Sequence, residues 1–289
     1  MTLVCLDLDR TTIYSAAALD LRMPDADAPR LLCVEVYRSM PQSFMTEGAA
    51  HALLALQAVA TVVPSTTRTP EQLARVRLPG PPARYAIASN GGHLLVDGVP
   101  DPGWTARVRG RLSGCAPLPE IQAHLRARGG AFVLNLRTAS DLFAYAVVDR
   151  AALPAGWVEE LGAWCAPRGW SVSLQGRKIY AVPGPLTKSA AAAEVVARTG
   201  DSPLLAAGDS LLDADLLDHA DAAIRPAHGE LADAGFDRPH LTVTRATGVA
   251  AGEELLRWLG TASAAGLTVV GRPEGRRTEG THSWPSGTS

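Results

Sequence analysis

Short apolar runs that lead into acidic residues are the feature that most constrains the fold of this 289-residue chain. Leu3-Val4-Cys5-Leu6 runs into Asp7-Leu8-Asp9, and Leu204-Leu205-Ala206-Ala207 runs into Gly208-Asp209. Similar runs occur at Thr61–Val63, Tyr85–Ala88 and Ala222–Ile224. Runs this short match parallel strands buried on both faces. Helical stretches lie between them, among them Ala49–Ala60 and Ser189–Arg198, the latter stopped by Gly200. The alternation predicts a doubly wound, Rossmann-like α/β domain, whose ligands gather beyond the C-terminal ends of the strands.

The middle of the chain has a different rhythm. After the turn signal Asn90-Gly91-Gly92, the pattern predicts a helix near Leu118–Arg128 and strands near Phe132–Leu136 and Phe143–Val148. A second helix near Trp157–Cys165 and strands near Trp170–Leu174 and Lys178–Val182 repeat the order. Helix-strand-strand taken twice predicts an inserted α+β module, an antiparallel sheet with helices on one face. Pro183-Gly184-Pro185 marks the return. The expected division is a core of residues 1–88 and 184–262, an inserted domain of 89–183, and a disordered tail of 263–289 rich in Gly, Pro, Ser and charge. Residues 14–46 form an excursion after the first strand, with a hairpin including Cys33–Tyr37.

Several classes of protein are disfavoured. A net charge of −2 gives no electrostatic case for nucleic acid or an anionic membrane. No apolar run approaches the ~20 residues of a membrane span. The first residues run straight into the Asp7-Leu8-Asp9 strand end with no leader pattern, so the chain reads as cytoplasmic. Cys5, Cys33, Cys115 and Cys165 are widely spaced and form no CxxC, which reads as reduced structural thiols.

Each chemical signal has a plainer reading when taken alone. Asp7-Leu8-Asp9 is also the metal-binding form of some glycosyltransferases, or a simple strand-end turn. Only six residues precede Asp7, too few for the nucleotide-binding region a glycosyltransferase needs. In Gly208-Asp209-Ser210-Leu211-Leu212-Asp213, a helix starting after Ser210 brings Asp213 near Asp209, a pair of oxygen ligands suited to Mg²⁺. Asp209 or Ser210 as a helix cap is the plain alternative. Thr66 follows another strand, where its hydroxyl meets a phosphoryl oxygen or merely closes a turn. Lys188 opens the helix before the Gly208-Asp209 strand, a place where a lone lysine is usually solvated.

Together, these motifs resemble those of the haloacid dehalogenase (HAD) superfamily, in its chain order, over about residues 1–260. Thr66-Thr67-Arg68 and Ala88-Ser89-Asn90-Gly91-Gly92 resemble stretches of the Cof-like and sugar-phosphate phosphatase branches, and the insertion matches a C2-type cap. Asp7-Leu8-Asp9-Arg10-Thr11-Thr12-Ile13-Tyr14-Ser15 faintly resembles HAD proteins encoded beside tellurite-resistance genes. The pattern departs at Arg10 and Thr67, both usually glycine.

The resemblance implies Asp7 as nucleophile, Asp9 as general acid and base, and Thr66 and Lys188 as phosphoryl ligands. It implies Mg²⁺ held by Asp7, the Asp9 carbonyl and Asp209, with Asp213 binding through water or orienting Lys188. The expected substrate is a small phosphorylated metabolite, with a sugar phosphate in view. Asn90, Arg177 and Lys178 are the expected readers of its leaving group. With Asp9 protonated, three carboxylates and Lys188 sum to −2 and a phosphate dianion makes −4, so a divalent cation is needed for close approach. Two alternatives stay open: a HAD-type phosphomutase or phosphotransferase, and a non-catalytic binding protein on the same core.

Overall fold

The computed structural model describes residues 1–265. In chain order the elements are β1 (Thr2–Leu6), β2 (Leu31–Tyr37), β3 (Met40–Thr46), α1 (Glu47–Gln57), β4 (Ala60–Pro64), α2 (Pro70–Leu73), β5 (Tyr85–Ala88), β6 (His93–Val96), β7 (Val99–Pro100) and α3 (Pro102–Leu112). The inserted module holds α4 (Leu118–Arg128), β8 (Val133–Ala139), β9 (Phe143–Val148), α5 (Trp157–Cys165), β10 (Trp170–Gln175) and β11 (Lys178–Pro183). Then come α6 (Lys188–Thr199), β12 (Leu204–Ala207), α7 (Ala214–His219), β13 (Ala222–Arg225), α8 (Glu230–Asp233), β14 (Leu241–Val243) and α9 (Gly248–Ala264).

The core is a five-stranded parallel sheet in the order β14-β13-β12-β1-β4. Strand β1, an interior strand between β12 and β4, is buried at every position, as a strand covered on both faces must be. One face packs with Leu53, Leu56, Leu255 and Leu256 of α1 and α9. The other face packs with Ala192, Val195 and Leu216 of α6 and α7. Thr46 caps α1 by accepting from Ala49 N–H, and Gly200 closes α6 in the left-handed region at φ 72°.

The inserted sheet is antiparallel, in the order β10-β11-β9-β8. Ala144, Ala146, Ile179 and Ala181 face α4 and α5 and share a core with Ile121, Leu125, Leu161 and Cys165. Register fixes the opposite face. Ser173, Tyr180, Tyr145 and Arg137 stand opposite one another across four strands and so point the same way.

Three expectations are corrected. Tyr85–Ala88 is not a strand of the parallel sheet: a single bridge, Ser65 to Ile87, links it there, and it pairs antiparallel with β6 in a three-stranded ribbon. Ser89 and Asn90, both at positive φ, turn the chain back at that point. After residue 89, the place expected for the start of the inserted module, the ribbon and α3 lie against α6 through ion pairs of Asp101 with Arg198 and Arg107 with Glu194. Helix Ala49–Ala60 is shorter than expected, because Ala60 already pairs with Thr2. Of the expected tail 263–289, Ser263 and Ala264 belong to α9, and residues from 266 on lie outside the described residues. The hairpin expected in 14–46 is present as β2–β3.

Candidate active site

Parallel strands β1, β4 and β12 release Asp7, Thr66 and Asp209 at one edge of the sheet. Asp7, Asp209 and Asp213 each offer a carboxylate oxygen within 4.8 Å of the others, and all three are buried. Lys188, 0% exposed, donates from Nζ to Asp7 Oδ1 at 2.6 Å and to Asp213 Oδ1 at 2.5 Å. The other oxygen of Asp213 accepts from Ser210 N–H at 3.0 Å and Ser210 Oγ at 2.7 Å. With both oxygens engaged, Asp213 holds Lys188 in place. Gly208 permits this approach, since a Cβ there would meet Asp213 Cγ at 2.4 Å.

The electrostatics follow from crowding acids in a dry site. Burial, reinforced by the Asp213 charge, pushes the Asp7 carboxyl up to about 7 against the pull of Lys188. Burial and the charges of Asp7 and Asp213 raise Asp209 well above the usual carboxylate range, with Arg10 opposing. Burial disfavours the Lys188 ammonium, but Asp213 and Asp7 outweigh it and hold the group above its ordinary value. The buried Lys188 thus serves Asp7 and Asp213, while Asp209 faces the half-exposed Arg10. The donor set is entirely carboxylate oxygen, the chemistry of a hard divalent cation, and the residues fit the Mg²⁺ that the resemblance implies.

Asp9 and Thr66 lie beside this cluster. Asp9 turns its carboxylate to Arg68, which donates from Nε and Nη2 at 2.7 Å each. Burial would raise the Asp9 carboxyl, but those bonds and the Arg68 charge hold it below its ordinary value. Thr66 Oγ1 accepts from Arg68 N–H at 3.1 Å, a turn-closing bond that leaves the hydroxyl proton available to a phosphoryl oxygen.

The three expected leaving-group readers separate. Lys178 stays at the site: it is on the same sheet face as Tyr180, its Nζ is 5.8 Å from the Tyr145 ring centre, and its charge reaches Asp9. Arg177 sits in the exposed turn between β10 and β11, where its carbonyl accepts from Val148 N–H. Asn90 is buried against α6, donating from Nδ2 to Leu186 O at 2.8 Å, with its N–H on Thr66 O. Its neighbour Gly91, at φ 92°, must be glycine: a Cβ would meet Thr187 O at 2.0 Å. Asn90 and Gly91 therefore set the start of α6, and with it Lys188.

Sequence reasoning assigned no role to several residues here. Arg10, at φ 63°, places Nε 3.3 Å from Asp209 Oδ2, and its carbonyl meets His228 Nε2 at 2.9 Å. Burial raises the Tyr180 phenol, with Thr67 beside it opposing, and the ring stacks with Tyr145 at 5.6 Å. Tyr180 was visible only as a strand residue, and the substitution of Thr67 for glycine was the sole sign of its partner.

No protein-family model matches the chain, and no curated protein matches its sequence. Solved structures do match over nearly the whole length. The sucrose-phosphatase of Synechocystis sp. PCC6803, in complex with sucrose and phosphate, is 13% identical with a TM-score of 0.59, covering 89% of this chain and 97% of that one. A sugar phosphatase of HAD subclass IIB is 13% identical with a TM-score of 0.55, covering 92% and 99%. A Thermoplasma acidophilum protein is 10% identical with a TM-score of 0.58, covering 91% and 99%. The chain shares the fold of these phosphatases, one of them a HAD subclass IIB enzyme, with a parallel α/β core and an inserted α+β module. Nothing in these likenesses speaks for the tellurite-resistance connection. Among the described residues no helix is long and apolar enough to cross a membrane.

Proposed function

We propose that the chain is a Mg²⁺-dependent phosphomonoesterase that hydrolyses a small phosphorylated metabolite, with sugar phosphates the favoured class. The observation that carries this reading is the buried Lys188 bridging Asp7 and Asp213 beside Asp209, at the strand ends of a HAD-type fold. The sugar class is supported by the activities named for the fold neighbours and by the paired rings of Tyr145 and Tyr180 on the cap face.

In the first step an Asp7 oxygen attacks phosphorus and the bond to the leaving oxygen breaks, while Asp9 gives that oxygen its proton. Arrival of a phosphate dianion beside Asp9 favours the protonated carboxyl that this step requires. In the second step water attacks the Asp7 acyl phosphate, Asp9 takes a proton from it, and the Asp7–phosphorus bond breaks. Lys188 and the Thr66 hydroxyl hold phosphoryl oxygens as their charge grows. Asp7, Asp209 and the Asp9 carbonyl would hold a divalent cation, which would supply the neutralising charge that lets two anions meet.

A panel of phosphorylated sugars, nucleotides and small acids tests the reading. Inorganic phosphate should be released from at least one member, with release lost in chelator and restored by Mg²⁺. Undiminished release in chelator would refute the metal assignment, and no release from any member would refute the activity.

The placement of Lys178 and Arg177 gives a sharper expectation for the cap. Lys178→Ala should lower kcat/KM for the best substrate about tenfold or more, the scale of one charge-assisted contact of ~1.5–3 kcal/mol. The same change should spare p-nitrophenyl phosphate, and Arg177→Ala should stay within about twofold on both. Equal losses on both esters in Lys178→Ala would remove Lys178 from substrate recognition.

A further inference from the structure

Two buried polar side chains of the β2–β3 hairpin, Glu35 and Ser43, have no place in the chemistry above. Glu35 is 4% exposed and Ser43 3%. Burying a carboxylate in an apolar hairpin is costly unless it is paired and hydrogen-bonded, and here the pairing leads to the site. Ser43 Oγ donates to Glu35 Oε2 at 2.7 Å, and Arg68 Nη1 donates to the same oxygen at 2.8 Å. Arg68 Nη2 also lies 3.3 Å from Ser43 Oγ. The other edge of the same guanidinium forks onto both oxygens of Asp9. Arg75 Nε, 3.5 Å from Glu35 Oε1, approaches the carboxylate from its second side.

The asymmetry of this chain of contacts gives it a direction. The Asp9 side chain is 52% exposed, and among the described residues its carboxylate is hydrogen-bonded by Arg68 alone, whereas the Arg68 side chain is 14% exposed and Glu35 is sealed. An arginine has several rotatable bonds, and only an anchor on its far edge makes its planar fork a fixed template. We propose that Glu35, seconded by Ser43, is a positioning residue for the acid–base step: it fixes Arg68, and Arg68 fixes the Asp9 carboxylate. The proposal rests on the phosphomonoesterase reading. It also gives the hairpin after the first strand a part in the reaction, without touching substrate.

A structural role and a positioning role differ in their dependence on the leaving group. An alkyl phosphate needs a proton delivered to its leaving oxygen, whereas p-nitrophenolate departs unaided. The ratio kcat/KM reports the first phosphoryl transfer, so loss of acid catalysis appears there for the alkyl ester alone. Glu35→Gln should lower kcat/KM for the alkyl phosphate between about ten- and a hundredfold, part of the ~10²–10⁴ that acid–base catalysis supplies. It should leave p-nitrophenyl phosphate within about threefold. Ser43→Ala should shift the same way and less, and serves where Glu35→Gln fails to fold. A readout without turnover accompanies this: the Arg68 Nε–Hε proton, observed by nitrogen-15 NMR, should exchange slowly in wild type and quickly in either variant. Equal losses on both esters, or an unchanged Arg68 proton, would overturn the positioning role alone. A wild-type protein that hydrolyses neither ester would overturn the phosphatase reading, and this proposal with it.

Discussion

Asp7→Asn should abolish phosphomonoester turnover, by at least about a thousandfold, while leaving a folded protein. The carboxamide is nearly the same size as the carboxylate, so the packing around β1 is undisturbed. What it lacks is the anionic oxygen that forms the phosphoenzyme and, with Asp209, the charge that retains a divalent cation. Burial and the Asp213 charge already oppose ionisation of Asp7, so the neutral side chain is tolerated where it stands. Wild-type protein quenched in acid with substrate should gain one phosphoryl mass on the peptide containing Asp7, and the variant should gain none. Turnover above a few per cent of wild type, in protein free of contaminating phosphatase, would remove Asp7 as the nucleophile. Phosphorylation at any other residue would do the same.

The parts of this molecule legible in the sequence are those whose meaning is local. A strand such as Leu3–Leu6 or Leu204–Ala207 declares both its burial and the place where its next residue emerges, so the positions of Asp7 and Asp209 just past strand ends were legible directly. The helix-strand-strand repeat of the cap was legible for the same reason: α4, β9 and α5 occupy the expected ranges, and the remaining cap strands differ by a residue or a few at their ends. Helix α3 was missed because Pro102–Leu112 carries two glycines and turns only Trp104 and Val108 inward, a thin apolar stripe. Strand β14 is three residues long and carries no pattern. Tyr85–Ala88 has the composition of a buried parallel strand, and its true partner depends on the left-handed turn at Ser89 and Asn90 that follows.

The site residues that escaped notice are those whose meaning is tertiary. Glu35 is 33 residues from Arg68, and Arg68 is 59 from Asp9. Neither spacing signals anything until the hairpin folds back over the loop after β4. One cue existed, an acid within the otherwise apolar run Leu31–Tyr37, and it pointed to burial without naming a partner. Asn90 shows the same dependence on tertiary structure. Its turn signal was real, and its Nδ2 donates to Leu186 O just before α6, a contact that the local sequence did not signal.

Lys188→Met separates the charge of this lysine from its bulk, and should damage stability and activity together. Methionine fills the same channel beside Asp7 and Asp213, but it leaves two buried carboxylates with no counter-charge. Removing one partner of a buried ion pair costs about 3–5 kcal/mol, so the melting temperature without metal at neutral pH should fall by on the order of 10 °C. The sign of the pH dependence identifies the cause. Asp7 in the folded protein already holds its proton to about pH 7, far above its unfolded range, and loss of the Lys188 charge raises that value further. A carboxyl raised on folding contributes stability below its unfolded pKa and loses it as pH rises through the folded value. The deficit of the variant should therefore be largest above about pH 7 and shrink toward pH 5, where Asp7 is protonated in wild type and variant alike. Thermal melts at three pH values in chelator measure it. A deficit equal at pH 5 and pH 8 would mean that packing, not charge, is what Lys188 supplies. In Mg²⁺ the fold should recover in part, since the cation binds the folded carboxylates. Turnover should stay about a thousandfold down, because no other buried cation lies within reach of Asp7 among the described residues to hold the phosphoryl oxygens. Near wild-type turnover in that refolded variant would move the phosphoryl-binding role from Lys188 to the exposed Arg10.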